Sequence, residues 1–324
     1  MSDIKNKPKV SVIMAFYNVE RFIEEAIRSV LNQSFTDFEL IIINDGSPDN
    51  SFQIAQKYAE KDVRIVLINN EKRLGCASAR NLGLNIAKGG CVVIFDSDDV
   101  CLPGRLAIQF EYLEKNQDIF LVGGSFYYIN EAGEIIDTYT EAIDSGIMRK
   151  KLLKANVIHN PTVMFRNSGY RYRGKFLQAE DYDLWLRMLT DGKQMAVIKD
   201  IVVKYRIQKN SLTHKGRGQQ KFYIKKARQY YYQRLCSGVD NYNDLILQNF
   251  SFKSSGQSNV GLMKARVVKL FFKNTDNMKD CRTKIVEFWR VFGLMIWPAS
   301  IIFFVVSFLP QFMVNKFKKI IWKY

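Results

Sequence analysis

The segment Cys91-Val92-Val93-Ile94-Phe95-Asp96-Ser97-Asp98-Asp99 is an apolar run that stops on three carboxylates within four residues. The apolar part, residues 91–95, has the length and β-branched content of a buried strand. The acids that follow repel one another unless a cation lies between them. A hard divalent cation, completed by phosphate oxygens, meets that need. The plainer reading is a solvated acidic turn that caps the next helix.

What precedes this segment decides between the two. Residues 10–15 (VSVIMA) are another apolar run, and residues 19–32 carry Phe22, Ile23, Ala26, Ile27, Val30 and Leu31 at the spacing of one helix face. Then come a strand at 38–43, a turn at 44–48, a helix from about 50 to 58, a strand at 64–68 and a helix around 77–87. Four strand-helix alternations with short connections predict an α/β fold on a mostly parallel central sheet covered on both faces. Ligands of such sheets sit beyond the carboxyl ends of the strands. Those ends read Phe16-Tyr17-Asn18, Asn44-Asp45-Gly46-Ser47, Asn69-Asn70-Glu71 and Asp96-Ser97-Asp98-Asp99, so polar and acidic residues gather at one rim.

Downstream, a helix is expected at about 106–115, followed by an apolar stretch at 119–129, a mixed region to about 154 and an extended segment at 195–207. The Gly/Lys/Ser-rich residues 209–219 read as a boundary.

Several side chains could carry chemistry. Asp45, before Gly46 and Ser47, can accept bonds from a base N–H, although Asp-Gly-Ser is also ordinary turn chemistry. Arg80, in Gly75-Cys76-Ala77-Ser78-Ala79-Arg80, can aim a guanidinium at a diphosphate, or be a salt-bridged arginine. Glu180 and Asp181 open the helix that continues Leu184-Trp185-Leu186-Arg187. Acids suit that position for the helix dipole alone, and one of them can serve as a general base. His159 could touch an acceptor, and His214 could help bind diphosphate or metal; each is equally well a structural or plain loop residue.

Together, residues 10–18, Asn44-Asp45-Gly46-Ser47 with Asp49 and Ser51, Ala79-Arg80-Asn81, Phe95–Asp99, Asn160-Pro161-Thr162 and Ala179–Trp185 resemble glycosyltransferase family 2 in order and spacing. This large inverting family has a GT-A fold, and the resemblance spans about residues 9 to 215. It implies transfer of a sugar from a nucleotide sugar, most simply a UDP-sugar, to a hydroxyl of a glycan or lipid-linked acceptor in surface-polysaccharide synthesis. It also implies that Ala15, Phe16, Tyr17 and Asp45 contact the nucleobase and that Arg80 lies near the diphosphate. Asp96, with Ser97 beside it, resembles the first carboxylate of the DxD. Asp98 resembles the carboxylate that ligates Mn2+ or Mg2+, and Asp181 the catalytic base. Residues 209–219 would be a lid.

Composition fits this reading and extends it. The 324 residues are 47% hydrophobic and 25% charged, ordinary for a globular protein. The net charge of +16 is confined to one end: residues 201–324 hold 23 Lys and Arg against 5 Asp and Glu, while residues 1–200 hold 25 against 27. A polyanion or an anionic membrane surface is expected to meet that end alone. Five cysteines without CxxC spacing suit a reducing compartment, and the polar start shows no secretory signal, so a cytoplasmic origin is expected.

The expected domains are 1–215 as the GT-A domain, 216–285 as a basic helical region and 286–324 as a membrane-associated apolar segment. Residues 291–309 carry no charge over 19 positions, with Pro298 inside and basic residues on both flanks. A kinked helix lying in the cytoplasmic leaflet suits this pattern best, with a true span or a buried hairpin as the alternatives.

Two other functions compete. A sugar-phosphate nucleotidyltransferase would place a Gly-rich loop after the first strand, where this chain has Phe16-Tyr17-Asn18-Val19-Glu20. A nucleic-acid-binding protein could use residues 221–234 (KFYIKKARQYYYQR), where basic and aromatic residues interleave, but no nucleic-acid motif is visible and no such partner is expected.

Overall fold

A computed structural model describes residues 7–208 and 217–245. Among these residues a nine-stranded sheet runs in the order β3-β2-β1-β4-β8-β6-β9-β5, with β7 paired to β6. Its first half is β1 (Val10–Phe16), β2 (Phe38–Asp45), β3 (Ile65–Asn70) and β4 (Cys91–Asp96), linked by helices α1 (Ile23–Leu31), α2 (Ser51–Ala59) and α3 (Cys76–Ile86). All pairings among these four strands are parallel, as the alternation predicts.

The second half is mixed. It holds β5 (Val100–Cys101), α4 (Arg105–Lys115), β6 (Ile119–Ile129), β7 (Ile135–Tyr139), α5 (Ser145–Lys154), β8 (Met164–Arg166), α6 (Glu180–Thr190) and β9 (Gln194–Arg206). Strand β8 runs antiparallel between β4 and β6, β9 is parallel to β6, and β5 is antiparallel to β9.

Alternation along β1 sorts its side chains between two layers. Val10, Val12, Met14 and Phe16 join the core cluster with Ile23, Ala26, Ile27 and Val30 of α1 and with Leu106 and Leu113 of α4. Ile13 faces α3 instead, and the helix comes close because Gly83 has no side chain. A Cβ there would lie 2.8 Å from Cγ2 of Ile13 and 2.9 Å from Cδ1 of Ile43.

Helix α1 starts at Ile23, four residues later than its periodicity suggests. Asn18 is in the left-handed region at φ 56°, and the chain after it is tied to the β2–α2 turn. The Asn18 and Val19 amides donate to the hydroxyls of Ser47 and Ser51, both at 3.1 Å, and the Glu20 amide donates to Asp49 at 2.9 Å. Ser47, Asp49 and Ser51 therefore fix the geometry of the rim.

Helix α7 (Arg217–Ser237) contains the basic, Tyr-rich residues 221–234. Tyr223, Tyr230 and Tyr231 are buried, with Tyr223 and Tyr230 against Phe176, so these rings are not presented for base stacking. Among the described residues one compact unit runs from Lys7 through Tyr231 and takes in Tyr242–Leu245; Tyr232–Asn241 fall outside it, and there Arg234 pairs with Asp240. Among the described residues no helix is long and apolar enough to cross a membrane. The apolar segment 291–309, His214, most of the expected lid and most of the basic region lie outside the described residues.

Candidate active site

Helix α3 is preceded by Gly75, whose φ of 89° favours glycine, and its small residues Ala77, Ala79 and Gly83 let it sit low on the sheet. That places Arg80 over the end of β4. Its Nη2 donates to Oδ1 of Asp96 at 2.7 Å and its Nη1 to Oε1 of Glu180 at 3.0 Å. Its side chain is 8% exposed, with the Tyr172 ring 5.6 Å from the guanidinium carbon. One buried cation thus joins the acidic turn after β4 to the first residue of α6. Sequence reading offered a diphosphate ligand or a salt-bridged arginine for Arg80, and in this structure it is salt-bridged twice.

The acidic turn is closed by the end of β9. The backbone amide of Arg206 donates to Oδ1 of Asp99 at 2.8 Å, and its Nε to the carbonyl of Asp98 at 2.7 Å. Gln208 donates to Oδ2 of Asp98 at 2.6 Å. Ser97 is buried in the turn. Burial, helped by the Asp96 charge, pushes the Asp98 carboxyl up to about 6. Asp99 is 1% exposed, its Oδ2 has no partner, and burial followed by the Asp98 and Asp96 charges raises its carboxyl well above the usual range.

Three carboxylates thus sit where a positive charge is wanted, which suits a divalent cation. Among the described residues no three His, Cys, Asp or Glu side chains converge on one point as ligands. A cation held at this turn would take at most two ligands from these side chains and the rest of its shell from phosphate and water.

Glu180 and Asp181 point in different directions, as adjacent residues on a helix must. Asp181 accepts from Nδ2 of Asn156 at 3.0 Å and from the Tyr182 amide at 2.7 Å. Burial, followed by the Glu180 charge, pushes its carboxyl up to about 7, inside the range useful to a general base. Asp183, by contrast, anchors α6. Fully buried, it pairs with Arg187 at 3.0 Å and Arg173 at 3.7 Å.

The remaining rim residues divide. Asp45, 3% exposed, accepts the backbone amides of Leu74 and Gly75 at 2.7 and 2.9 Å, so it fixes the loop into α3; each oxygen keeps a further lone pair. Ala15 lies beside Asp96 in the sheet register. Phe16 is buried in the core, so it can offer a ligand only its backbone. The half-buried Tyr17 ring stacks under Arg73 at 3.9 Å. His159 packs edge-on against Phe126 and Tyr139 at 4.7 and 4.8 Å, and burial lowers its imidazole to about 4, which makes it a neutral ring in an aromatic cluster.

Sequence reading missed Asn156, Tyr172, Arg206 and Gln208. Only the polar end of the 195–207 segment hinted at Arg206.

A sequence model described as glycosyl transferase family 2 matches residues 11–173. The chain is 37% identical over 209 residues to an uncharacterized glycosyltransferase of Methanocaldococcus jannaschii, covering 62% of this chain and 72% of that one. It is 36% identical over 212 residues to the O-antigen biosynthesis glycosyltransferase WbnJ of Escherichia coli, covering 62% and 81%. It is 34% identical over 207 residues to UDP-Glc:alpha-D-GlcNAc-diphosphoundecaprenol beta-1,3-glucosyltransferase WfgD of Escherichia coli, covering 63% and 79%. The crystal structure of S. aureus TarS with UDP-GlcNAc superposes with a TM-score of 0.56 at 16% identity, covering 92% of this chain and 79% of that one, a likeness of fold.

Proposed function

Because the chain belongs to glycosyltransferase family 2 and is a glycosyltransferase, we propose that it moves a sugar from a UDP-sugar to a hydroxyl of a lipid-diphosphate-linked glycan, with inversion, in surface-polysaccharide assembly. The observation that carries this reading is the convergence on Arg80. One guanidinium holds both Asp96 of the donor rim and Glu180, the neighbour of a carboxylate whose proton affinity suits a base. WfgD is named for a UDP-glucose donor and a diphosphoundecaprenol-linked acceptor, which supports the choice of substrates.

In this mechanism Asp181 removes the proton of the acceptor hydroxyl as its oxygen bonds the anomeric carbon from the side opposite the nucleotide. The bond from that carbon to the diphosphate oxygen breaks with its electron pair going to the leaving group, and the single displacement inverts the centre. Arg80 stabilises the charge growing on the diphosphate, and Asp45, Ala15 and Tyr17 border the nucleoside. A divalent cation, Mn2+ or Mg2+, would be held by Asp98 and would neutralise the leaving diphosphate. The uncharged segment 291–309 and its basic flanks would hold the enzyme on the cytoplasmic face of the membrane, near such an acceptor.

Purified full-length protein with Mn2+ or Mg2+, screened against nucleotide sugars with a lipid-diphosphate sugar as acceptor, tests the reading. Acceptor-dependent UDP release is expected; release of a different nucleotide, or none with any donor, overturns the choice of UDP-sugar. Asp98→Asn should abolish metal-dependent donor binding, measured by calorimetry with UDP and manganese, because an amide cannot supply the anionic ligand. Unchanged affinity would remove Asp98 from the metal site.

A further inference from the structure

A cleft of about 690 Å³ opens between the turn after β8 and the end of α6, and its lining includes Tyr172, whose ring also lies beside Arg80. Strand β8 runs antiparallel to β4 with Arg166 beside Cys91, so the turn after it starts at the opposite end of β4 from Asp96. Helix α6 carries Asp181 at its first turn and Asp191 just past its last, and its 11 residues span about 16 Å.

Cations dominate the lining: Arg171, Arg173, Arg187 and Lys193. Two acids answer them. Asp183, buried behind the wall, takes Arg187 and Arg173. The exposed Asp191 accepts the hydroxyl of Tyr170 at 2.6 Å. Arg171 and Lys193 have no carboxylate partner among the described residues.

Arg171 is also held in place. Its Nε donates to Oδ1 of Asn85 at 2.6 Å, Nη1 to the carbonyl of Tyr170 at 2.8 Å and Nη2 to that of Leu84 at 3.0 Å. All three acceptors are neutral. They orient the guanidinium, leave two of its five N–H donors free and leave its charge uncompensated. Burial lowers its proton affinity with no nearby anion to oppose the effect. Lys193, 5.3 Å from the Phe120 ring, is partly buried on the same cleft. A fixed arginine and a lysine facing open space, with an exposed Ser168-Gly169 turn beside them, match a tetrahedral oxyanion.

We propose that this cleft binds a phosphate group through Arg171 and Lys193, at a site separate from the donor rim. The group could be free phosphate or the headgroup of an anionic phospholipid. Full-length protein and its Lys193→Glu, Arg171→Gln and Arg80→Gln variants would be titrated with inorganic phosphate, and with vesicles of phosphatidylglycerol or phosphatidylcholine. The Lys193 side chain makes no hydrogen bond or ion pair among the described residues, so its variant should melt close to the parent even if loss of the Arg171 hydrogen bonds weakens the other.

For free phosphate, Lys193→Glu should weaken binding about tenfold or more and Arg80→Gln should leave it unchanged. For a lipid headgroup, no form should bind inorganic phosphate, and Lys193→Glu should weaken binding to phosphatidylglycerol vesicles severalfold. The tail is identical in every variant and cancels from that comparison. The proposal fails if Lys193→Glu matches the parent against both probes, or if Arg80→Gln is the variant that abolishes phosphate binding.

Discussion

At Asp181, burial and the Glu180 charge raise the proton affinity to about 7, and the consequences for rate and for stability have opposite signs. A base must be ionised to accept a proton, so transfer should climb as pH rises through about 7 and then level off. The folded protein, however, holds the Asp181 proton across the window from the ordinary carboxylate range near 3.8 up to about 7, whereas the unfolded chain has already released it. Folding stability from this group is therefore complete below that window and is lost as pH rises through it. Asp181→Asn should lower transfer by about a hundredfold or more while donor affinity holds. The same variant should melt above the parent at pH 8, each kcal/mol relieved being worth about 2–4 °C in a domain of this size. Glu180→Gln removes the neighbouring negative charge, so the rising limb of its pH–rate profile should move below that of the parent. If Glu180→Gln is instead the severe variant and Asp181→Asn the mild one, the base has been assigned to the wrong residue. Asp45, Arg80, Asp96, Asp98 and Asp181 were legible in the sequence as candidates because each stands at a fixed offset from the end of a strand or the start of a helix. Asn156 and Gln208 were not, since they reach Asp181 and Asp98 across 25 and 110 residues from segments without a pattern of their own.

Helix α3 and the loop leading into it carry the element that matters most to the site. Asp45 holds that loop by two charge-assisted bonds to the amides of Leu74 and Gly75. Asp45→Ala would leave both amides without a partner, at a cost of about 1–3 kcal/mol. Hydrogen exchange at residues 74 and 75 should accelerate in that variant, and donor affinity should fall as Arg80 loses its fixed approach. Exchange at the parent rate would show that Asp45 does not secure the loop. The strands of the first half were readable because a strand buried on both faces is apolar nearly throughout, as β2 and β4 are. The antiparallel insertion of β8 was not. Its three residues are too few to show a period, and they gain their place from partners at Cys91, Val92 and Val93 on one side and Leu121 and Val122 on the other.

For the molecule as a whole, the candidate donor-site residues all precede residue 215, whereas the uncharged run 291–309 and the lysines after it lie at the far end. Deleting residues 291–324 should therefore release the enzyme from membranes and leave nucleotide-sugar binding largely unchanged. High salt should loosen the full-length protein only partly, because screening reaches the lysines, worth about 1 kcal/mol each near an anionic surface, and not an apolar face. Fractionation with salt and carbonate washes checks this; complete release by salt alone would reveal a purely electrostatic contact, and resistance to carbonate a true span. The closure of the acidic turn by Arg206 also bears on how the enzyme comes into being. Strands β1 to β4 are complete by Asp96, and each pairs with a strand from the same stretch of chain, so this half can form early while the polypeptide is still emerging from the ribosome. Asp99 must wait another 107 residues for the amide that receives its carboxylate. Until then the three acids have neither β9 nor Gln208 to set them, and the growing chain has the parallel half of the sheet without a closed acidic turn. On the proposed function, a chain that ends before residues 206–208 should therefore not consume donor, because its acidic turn has not been closed.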